Sequence, residues 1–479
     1  MSKQFAAAIW ALPLILQIFN NCFGQDAELK VTVRSISPPT AEIRGRYVQS
    51  SANRNFSLLN EYAGFSGLAD RVSDIRLEDE DGKPVAFKQF IPGEYVAVSE
   101  FREWSYKIDL TPPKRGAAAA HISWMGAENG LLFLEDLLPL SLSKQCGTKK
   151  ISLQVPDGWT AFGNEAAAVS CTDKTVYFLS KRFRRPNLDD RVRADLTISG
   201  DWKFSDQQAA DFVDEILSAY ARVFGGAPTG LKHVYILPFP IAVRPENWEA
   251  DTRGNSVTIL SSDMPFPTQS VQRLHEQLRH ELFHLWLPNG IHLKGSYDWF
   301  YEGFALYESL KLGVDSNRLR FGDFLDTLGR AMTIDAAFPD RMSLIDASRS
   351  RTNGGDTFLY ARGMLIGFLT DLKLLVRSNG KRDVEDVLRA IYQKYQDPEN
   401  EADGNAAVLA AIADADIKRY VETGGPIMWA SELSHFGIEK VDQTGLSILR
   451  VRTDLSGAQR KLLDKLGYNN WRKSSVGPR

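Results

Sequence analysis

A chain of 479 residues is longer than one compact core organises, so two or three domains are expected. Hydrophobic residues make up 43% and charged residues 24%, an ordinary globular balance, and the formal net charge is −3. Acidic and basic residues are mixed along the chain, which leaves no polyanion footprint and excludes nucleic acid as an expected partner.

Residues 1–24 read as a secretory signal peptide: Lys3, an apolar run from Phe5 to Phe19, then small residues near Cys22 and Gly24. The run is short for a membrane span and contains Pro13, and no later stretch is apolar enough to cross a bilayer. The mature chain is therefore expected without a span, in a secreted or periplasmic compartment. Removing the leader leaves two of the three cysteines, Cys146 and Cys171, and an oxidising compartment favours a disulfide between them.

Residues 25–200 read as an N-terminal all-β sandwich. "ELKVTVRSISPPTAEIRGRYV", "EYVAVSEFREWSYKIDL", "AHISWMG", "KISLQVP", "TVYFLS" and "RADLTISG" alternate apolar and polar residues between Pro and Gly punctuation. The pattern changes at Ser205, which forms a capping box with Gln208 and opens a helix with a stripe of Phe212, Ile216, Leu217 and Tyr220, stopped by Gly225. Two strands follow, "HVYILPF" and "SVTILSS". A helix is expected from Thr268 to Leu287, buried along Val271, Leu274, Leu278, Leu282 and Leu285 and ended by Pro288, Asn289 and Gly290. A second begins after Ser296 and ends at Gly313, and residues 316–479 read as a mostly α-helical C-terminal segment.

The stretch "RHELFHLW" carries the chemistry. On a helix His280 and His284 lie one turn apart on the same face and can share an ion. One Zn2+ is the natural candidate, because it favours nitrogen ligands and tolerates three protein ligands with one position for water. Glu281 is rotated by about 100° from His280, so it stays out of that coordination sphere and is placed to take a proton from water. The third ligand must come from another element; Glu302 in "WFYEGF", on the following antiparallel helix, supplies it. His275 points off this face and is expected to be solvated or to stand behind the ligands, and His121, His233, His292 and His435 are assigned no role.

An HExxH helix completed by a later glutamate resembles the gluzincin metallopeptidases. Residues 205 to about 440 resemble the glycyl-aminopeptidase family of gluzincins, with aminopeptidase N and the leukotriene hydrolases more distant. The resemblance rests on "VFGGAP" at 223–228, "GNSVTIL" at 254–260, "HELFHLW" at 280–286, "WFYEGFALY" at 299–307, "LYARGML" at 359–365 and "HISWMGAENGLLFLEDLLP" at 121–139. It implies a β-sandwich, a thermolysin-like α+β catalytic domain over 201–315, and a helical segment carrying a catalytic tyrosine. That tyrosine is Tyr360, the implied oxyanion donor, in a "YARG" where Arg362 replaces the family's lysine.

The family's glutamate for a substrate's free amine is missing from its expected motif. Glu246, Glu249 and Asp251 are the nearest acids, Asp251 is closest to the expected place, and Arg253 lies beside them. "GAEN" at 126–129 imitates the amine motif but falls in the β domain and is read as a loop. The expectation is an exported zinc-dependent peptidase acting on a peptide or protein, an aminopeptidase by preference. An endopeptidase, a metallohydrolase of non-peptide substrates and a catalytically inactive binding protein are the alternatives. Oligomeric state is left open.

Overall fold

The computed structural model describes residues 26–48, 54–140, 148–163, 168–170, 174–338, 342–351 and 356–470. The expected leader, Cys146 and Cys171 lie outside the described residues. In the N-terminal part, alternation turns directly into sheet faces: the strand Ala27–Ile36 buries Ala27, Leu29, Val31 and Val33. It belongs to a six-stranded sheet ordered Ala168–Ser170, Thr148–Gln154, Ala27–Ile36, Pro39–Tyr47, Glu103–Asp109, Val72–Glu78. A four-stranded sheet (Trp124–Met125, Asn129–Phe133, Val176–Ser180, Thr160–Phe162) and a three-stranded one (Asn55–Ser57, Glu94–Ala97, Phe87–Ile91) face it. Val31, Ile43, Tyr106, Phe56, Leu132 and Leu179 from the three sheets share one core. "GAEN" is the turn of the hairpin between Trp124–Met125 and Asn129–Phe133, closed by the Gly126 N–H donating to the Asn129 carbonyl at 2.8 Å.

A second layered unit follows, built on a four-stranded sheet ordered Ala194–Ile198, Lys232–Pro238, Ser256–Ser261, Trp248–Arg253. The first three strands are parallel and the last is an antiparallel edge. Both faces are covered, which is why "HVYILPF" reads as an unbroken apolar run. Val234, Ile236, Val257 and Ile259 pack against helices, while Tyr235, Leu237 and Leu260 pack against Phe133, Val176 and Phe178 of the N-terminal sheet. Two expectations change here. "RADLTISG" was expected in the sandwich, but Ala194–Ile198 pairs in parallel with Lys232–Pro238 and opens the second unit. Trp248–Arg253 is a strand that pattern alone does not show, because its residues are polar and half-buried rather than alternating.

The helices that matter for the site are α1 (Asp206–Phe224), α2 (Pro267–Phe283), α3 (Asp298–Asp315), α4 (Phe321–Ala337), α5 (Leu344–Arg349), α6 (Asp356–Arg377) and α7 (Val384–Tyr395). α1 has the capping box of Ser205 and Gln208 and stops at Gly225 in the left-handed region, φ 79°. α2 stops at Phe283, short of the expected Leu287. Pro288 has no N–H and restricts the residue before it, and the last turn tightens, with Leu285 N donating to Leu282 O at 3.3 Å and Trp286 N to Phe283 O at 3.0 Å. The C-terminal region is mostly helical, with one hairpin, Ile438–Gln443 with Leu446–Val451, lodged on α4 through the Ser447 N–H to Thr333 Oγ1. Its turn signal was present in the sequence: Thr444-Gly445, both at positive φ. Among the described residues no helix is long and apolar enough to cross a membrane.

Candidate active site

The apolar stripe of α2 settles its orientation. Leu274, Leu278 and Leu282 are buried against the core, and His280, Glu281 and His284 line a cleft of about 860 Å3. α3 and α6 must bring their own groups to the same cleft, and two glycines allow it. At Gly303 an added Cβ would lie 2.2 Å from the backbone of Gly363, and at Gly363 one would lie 2.5 Å from the Trp299 carbonyl. The helices therefore touch backbone to backbone at residues adjoining Glu302 and near Tyr360.

His280 Nε2 and His284 Nε2 are 3.3 Å apart, and Glu302 Oε2 lies 3.5 and 3.6 Å from them. Tetrahedral bonds of about 2.0–2.1 Å put neighbouring ligand atoms roughly 3.3–3.4 Å apart, so the triangle fits one zinc ion. Among the described residues this is the one cluster of His, Cys, Asp and Glu with such spacing. The His284 Nδ1–H donates to the Leu287 carbonyl at 2.9 Å, which directs the Nε2 lone pair at the shared centre. The tightened end of α2 supplies that carbonyl. Glu302 pairs with both imidazoles. Burial opposes charge on Glu302, yet His280, His284 and Arg351 keep its carboxyl well below the usual range. Burial likewise opposes charge on His284, and Glu302 overcomes it, holding the imidazole at about 9.

Glu281 stays out of the triangle, its Oε1 4.0 Å from His280 Nε2. Its Oε2 accepts from Thr252 Oγ1 at 2.8 Å, so the edge strand Trp248–Arg253 aims this carboxylate. Burial pushes the Glu281 carboxyl up, which favours a group that picks up a proton.

Tyr360 sits in the first turns of α6 and lines the cleft. Its hydroxyl oxygen accepts from Arg351 Nη2 at 2.5 Å. Arg351 follows α5, and sequence reasoning missed it, because nothing local separates it from Arg349 in "SRSRTNGG". Arg362, in the place of the family's lysine, is fully buried and faces away from this chemistry. It pairs with Asp335 at 2.7 Å and donates to the carbonyls of Tyr420 and Gly425, tying α6 to α4 and the C-terminal helices.

The N-terminal unit forms one wall of the cleft through Tyr62, Phe65, Ala117 and His121. His121, given no role from sequence, has its Nδ1 3.0 Å from Asp251 Oδ2. The same oxygen accepts from Arg253 Nε at 2.8 Å and faces the Tyr62 hydroxyl at 3.5 Å. The Arg253 guanidinium lies between the rings of Tyr62 and Phe133, 3.9 and 4.2 Å from their centroids. Burial would raise the Asp251 carboxyl, but Arg253 and His121 hold it well below the usual carboxylate range. Asp251 therefore lines the cleft with its charge already matched. Glu249, two residues earlier on the same side of the strand, is half-buried and has no hydrogen-bond partner among the described residues. Burial pushes its carboxyl up and His121 pulls it down. His275 corrects an expectation: it is buried, not solvated, packed edge-on against Phe212 at 4.8 Å, with Nδ1 2.5 Å from Arg279 Nη1 and Nε2 3.7 Å from Glu215.

No protein-family model and no curated protein matches this sequence. Solved structures do match its fold. An aminopeptidase N family protein from Idiomarina loihiensis superposes with a TM-score of 0.74 at 14% identity, covering 87% of this chain and 79% of that one. An M1 zinc metallopeptidase from Deinococcus radiodurans superposes with a TM-score of 0.54 at 15% identity, covering 85% and 94%. A mutant of the Deinococcus radiodurans enzyme, bound to a Tyr-Ser-Ala substrate, matches at 0.54 and 15%, covering 85% and 95%. The gluzincin resemblance read from the motifs thus extends over the architecture: this chain has the fold of the aminopeptidase N and M1 zinc metallopeptidases.

Proposed function

We propose that the protein is a zinc-dependent peptidase. The observation that carries this reading is the triangle of His280 Nε2, His284 Nε2 and Glu302 Oε2, sized for one Zn2+, with a separate carboxylate beside it. The Deinococcus radiodurans structures support it, since they are of a zinc metallopeptidase and one holds a tripeptide substrate. Bound there, the ion would acidify water towards a pKa of about 7 and polarise the scissile carbonyl.

The chain's own residues do the rest. Glu281, oriented by Thr252, takes a proton from the attacking water and returns it to the departing amine. Tyr360 donates its O–H to the oxygen that gains charge as the carbonyl becomes tetrahedral. His121 and Asp251, the latter paired with Arg253, line the cleft, and Glu249 lines it with a carboxylate that has no hydrogen-bond partner among the described residues. That carboxylate suits a substrate's ammonium group, so we read the enzyme as an aminopeptidase, with Glu249 rather than the neutralised Asp251 as the amine's partner. We further read the layout as a β domain, a thermolysin-like catalytic domain and a helical segment, and the mature chain as exported. Export would let Cys146 and Cys171 bridge, and the strands next to them are neighbours, Thr148 opposite Ser170.

Metal content and turnover of a peptide library, measured on wild type and His284→Ala, test the reading. Wild type should bind one zinc, hydrolyse peptides and stop when chelated, and the variant should lose metal and activity together. Zinc retained in full by His284→Ala would refute the ligand set. Zinc bound without turnover of any peptide would favour a binding protein or a hydrolase of other substrates.

A further inference from the structure

We infer that Arg351 is a positioning residue that holds the zinc ligand Glu302 and the oxyanion donor Tyr360 in one arrangement. The inference rests on the peptidase reading and deepens it. Nη1 of Arg351 reaches Asp298 Oδ1 at 3.0 Å, on the first turn of α3. Nη2 lies 3.0 Å from Glu302 Oε1 and 2.5 Å from the Tyr360 hydroxyl oxygen. One nitrogen thus serves both groups, and the guanidinium carbon lies 5.5 Å from the centroid of the Tyr360 ring.

Two consequences follow from the chemistry of the guanidinium. It has donors only. Glu302 Oε1 is therefore occupied by a cation, and Oε2 is the oxygen turned to His280 and His284. The ligand is presented through one oxygen in a fixed rotamer. Tyr360, for its part, accepts from Arg351, so its own proton is directed away from the arginine. The same contact fixes the hydroxyl as a donor for a developing oxyanion and sets its distance from the metal ligand. Lysine cannot replace this fork, because a single ammonium does not reproduce its planar, divergent donors.

The test uses the full chain as wild type, Arg351→Ala, Arg351→Lys, Tyr360→Phe and the double variant Arg351→Ala/Tyr360→Phe. Zinc affinity is read by competition with a chromophoric chelator, and kcat and KM on one peptide. Arg351→Ala should bind zinc about 10–100-fold more weakly, the usual loss when a partner of a metal ligand is removed. At saturating zinc its kcat should fall at least tenfold with KM little changed, and Arg351→Ala should add little to the loss in Tyr360→Phe. Arg351→Lys should recover part of the zinc affinity and little of kcat. It also keeps the experiment open if the alanine variant fails to fold. Zinc affinity within twofold of wild type in both Arg351 variants overturns the inference, and so do kcat losses that simply multiply with that of Tyr360→Phe. Wild type that binds no zinc removes the peptidase reading as well, whereas wild type and variants that bind zinc equally remove only the role of Arg351.

Discussion

Replacing Glu249 by glutamine removes a charge from the cleft and keeps its shape. If Glu249 meets the substrate's ammonium, the variant exchanges a charge-assisted hydrogen bond of about 1.5–3 kcal/mol for a neutral one of about 0.5–1.5 kcal/mol, a difference of about 1–1.5 kcal/mol. That corresponds to a fall in kcat/KM of roughly 5–13-fold for peptides with a free N-terminus, and to no change for acetylated peptides. Asp251→Asn makes the opposite prediction from a position two residues away. Arg253 is 2% exposed and depends on Asp251 for its nearest negative charge. Removing that charge leaves the buried guanidinium only the more distant Glu135 carboxylate at 3.9 Å, at a cost of up to about 3–5 kcal/mol in stability, while discrimination between free and acetylated peptides persists. The assay pairs kcat/KM on matched peptides with denaturant unfolding of each variant. Loss of discrimination in Asp251→Asn without loss of stability, with Glu249→Gln unaffected, would refute the assignment. Equal cleavage of both peptides by wild type would place the enzyme among endopeptidases.

Glu281→Gln should keep stoichiometric zinc and lose about 10²–10⁴ in kcat, read by metal analysis beside turnover. Tyr360→Phe should fold, bind zinc and lose about 10²–10³ in kcat. Gly303→Ala must push α3 from α6, since its Cβ would sit 2.2 Å from Gly363; unfolding should show a loss of at least about 1–3 kcal/mol, and the chelator assay weaker zinc. The ion pair of Asp251 has a pH signature. Its folded carboxyl lies below the usual range, so its contribution is full above the unfolded value of about 3.9 and is lost as pH falls further. The stability gap between wild type and Asp251→Asn should therefore be constant near neutrality and close in strong acid.

The candidate metal cluster was legible because its signal is local. His280, Glu281 and His284 sit on a helix whose apolar stripe is written in the same residues, and one turn of helix makes two of them neighbours whatever surrounds them. Glu302 was legible for a related reason: a short turn after Pro288 leaves the next helix little choice but to run back. The strands Lys232–Pro238 and Ser256–Ser261 were equally clear, as apolar runs buried on both faces. The edge strand Trp248–Arg253 was not, because it buries few apolar groups and takes its identity from its partner in the sheet. The strand Ala194–Ile198 showed its type but not its sheet, since alternation cannot name the partner.

What the sequence by itself determined is thus the set of groups able to bind a metal and move a proton, together with the elements that carry them. What only the tertiary structure decided is which charges remain available. Asp251 and Glu249 look alike in the chain, yet Arg253 and His121 neutralise the first and leave the second facing the cleft. Arg351 and Arg362 are both arginines close to Tyr360, yet one reaches Glu302 and the other is sealed against Asp335. Pairing of charges depends on distances between segments far apart in sequence, and those distances are set by the packing of the N-terminal sheet on the mixed sheet that follows it and by the contact of α3 with α6 at Gly303 and Gly363.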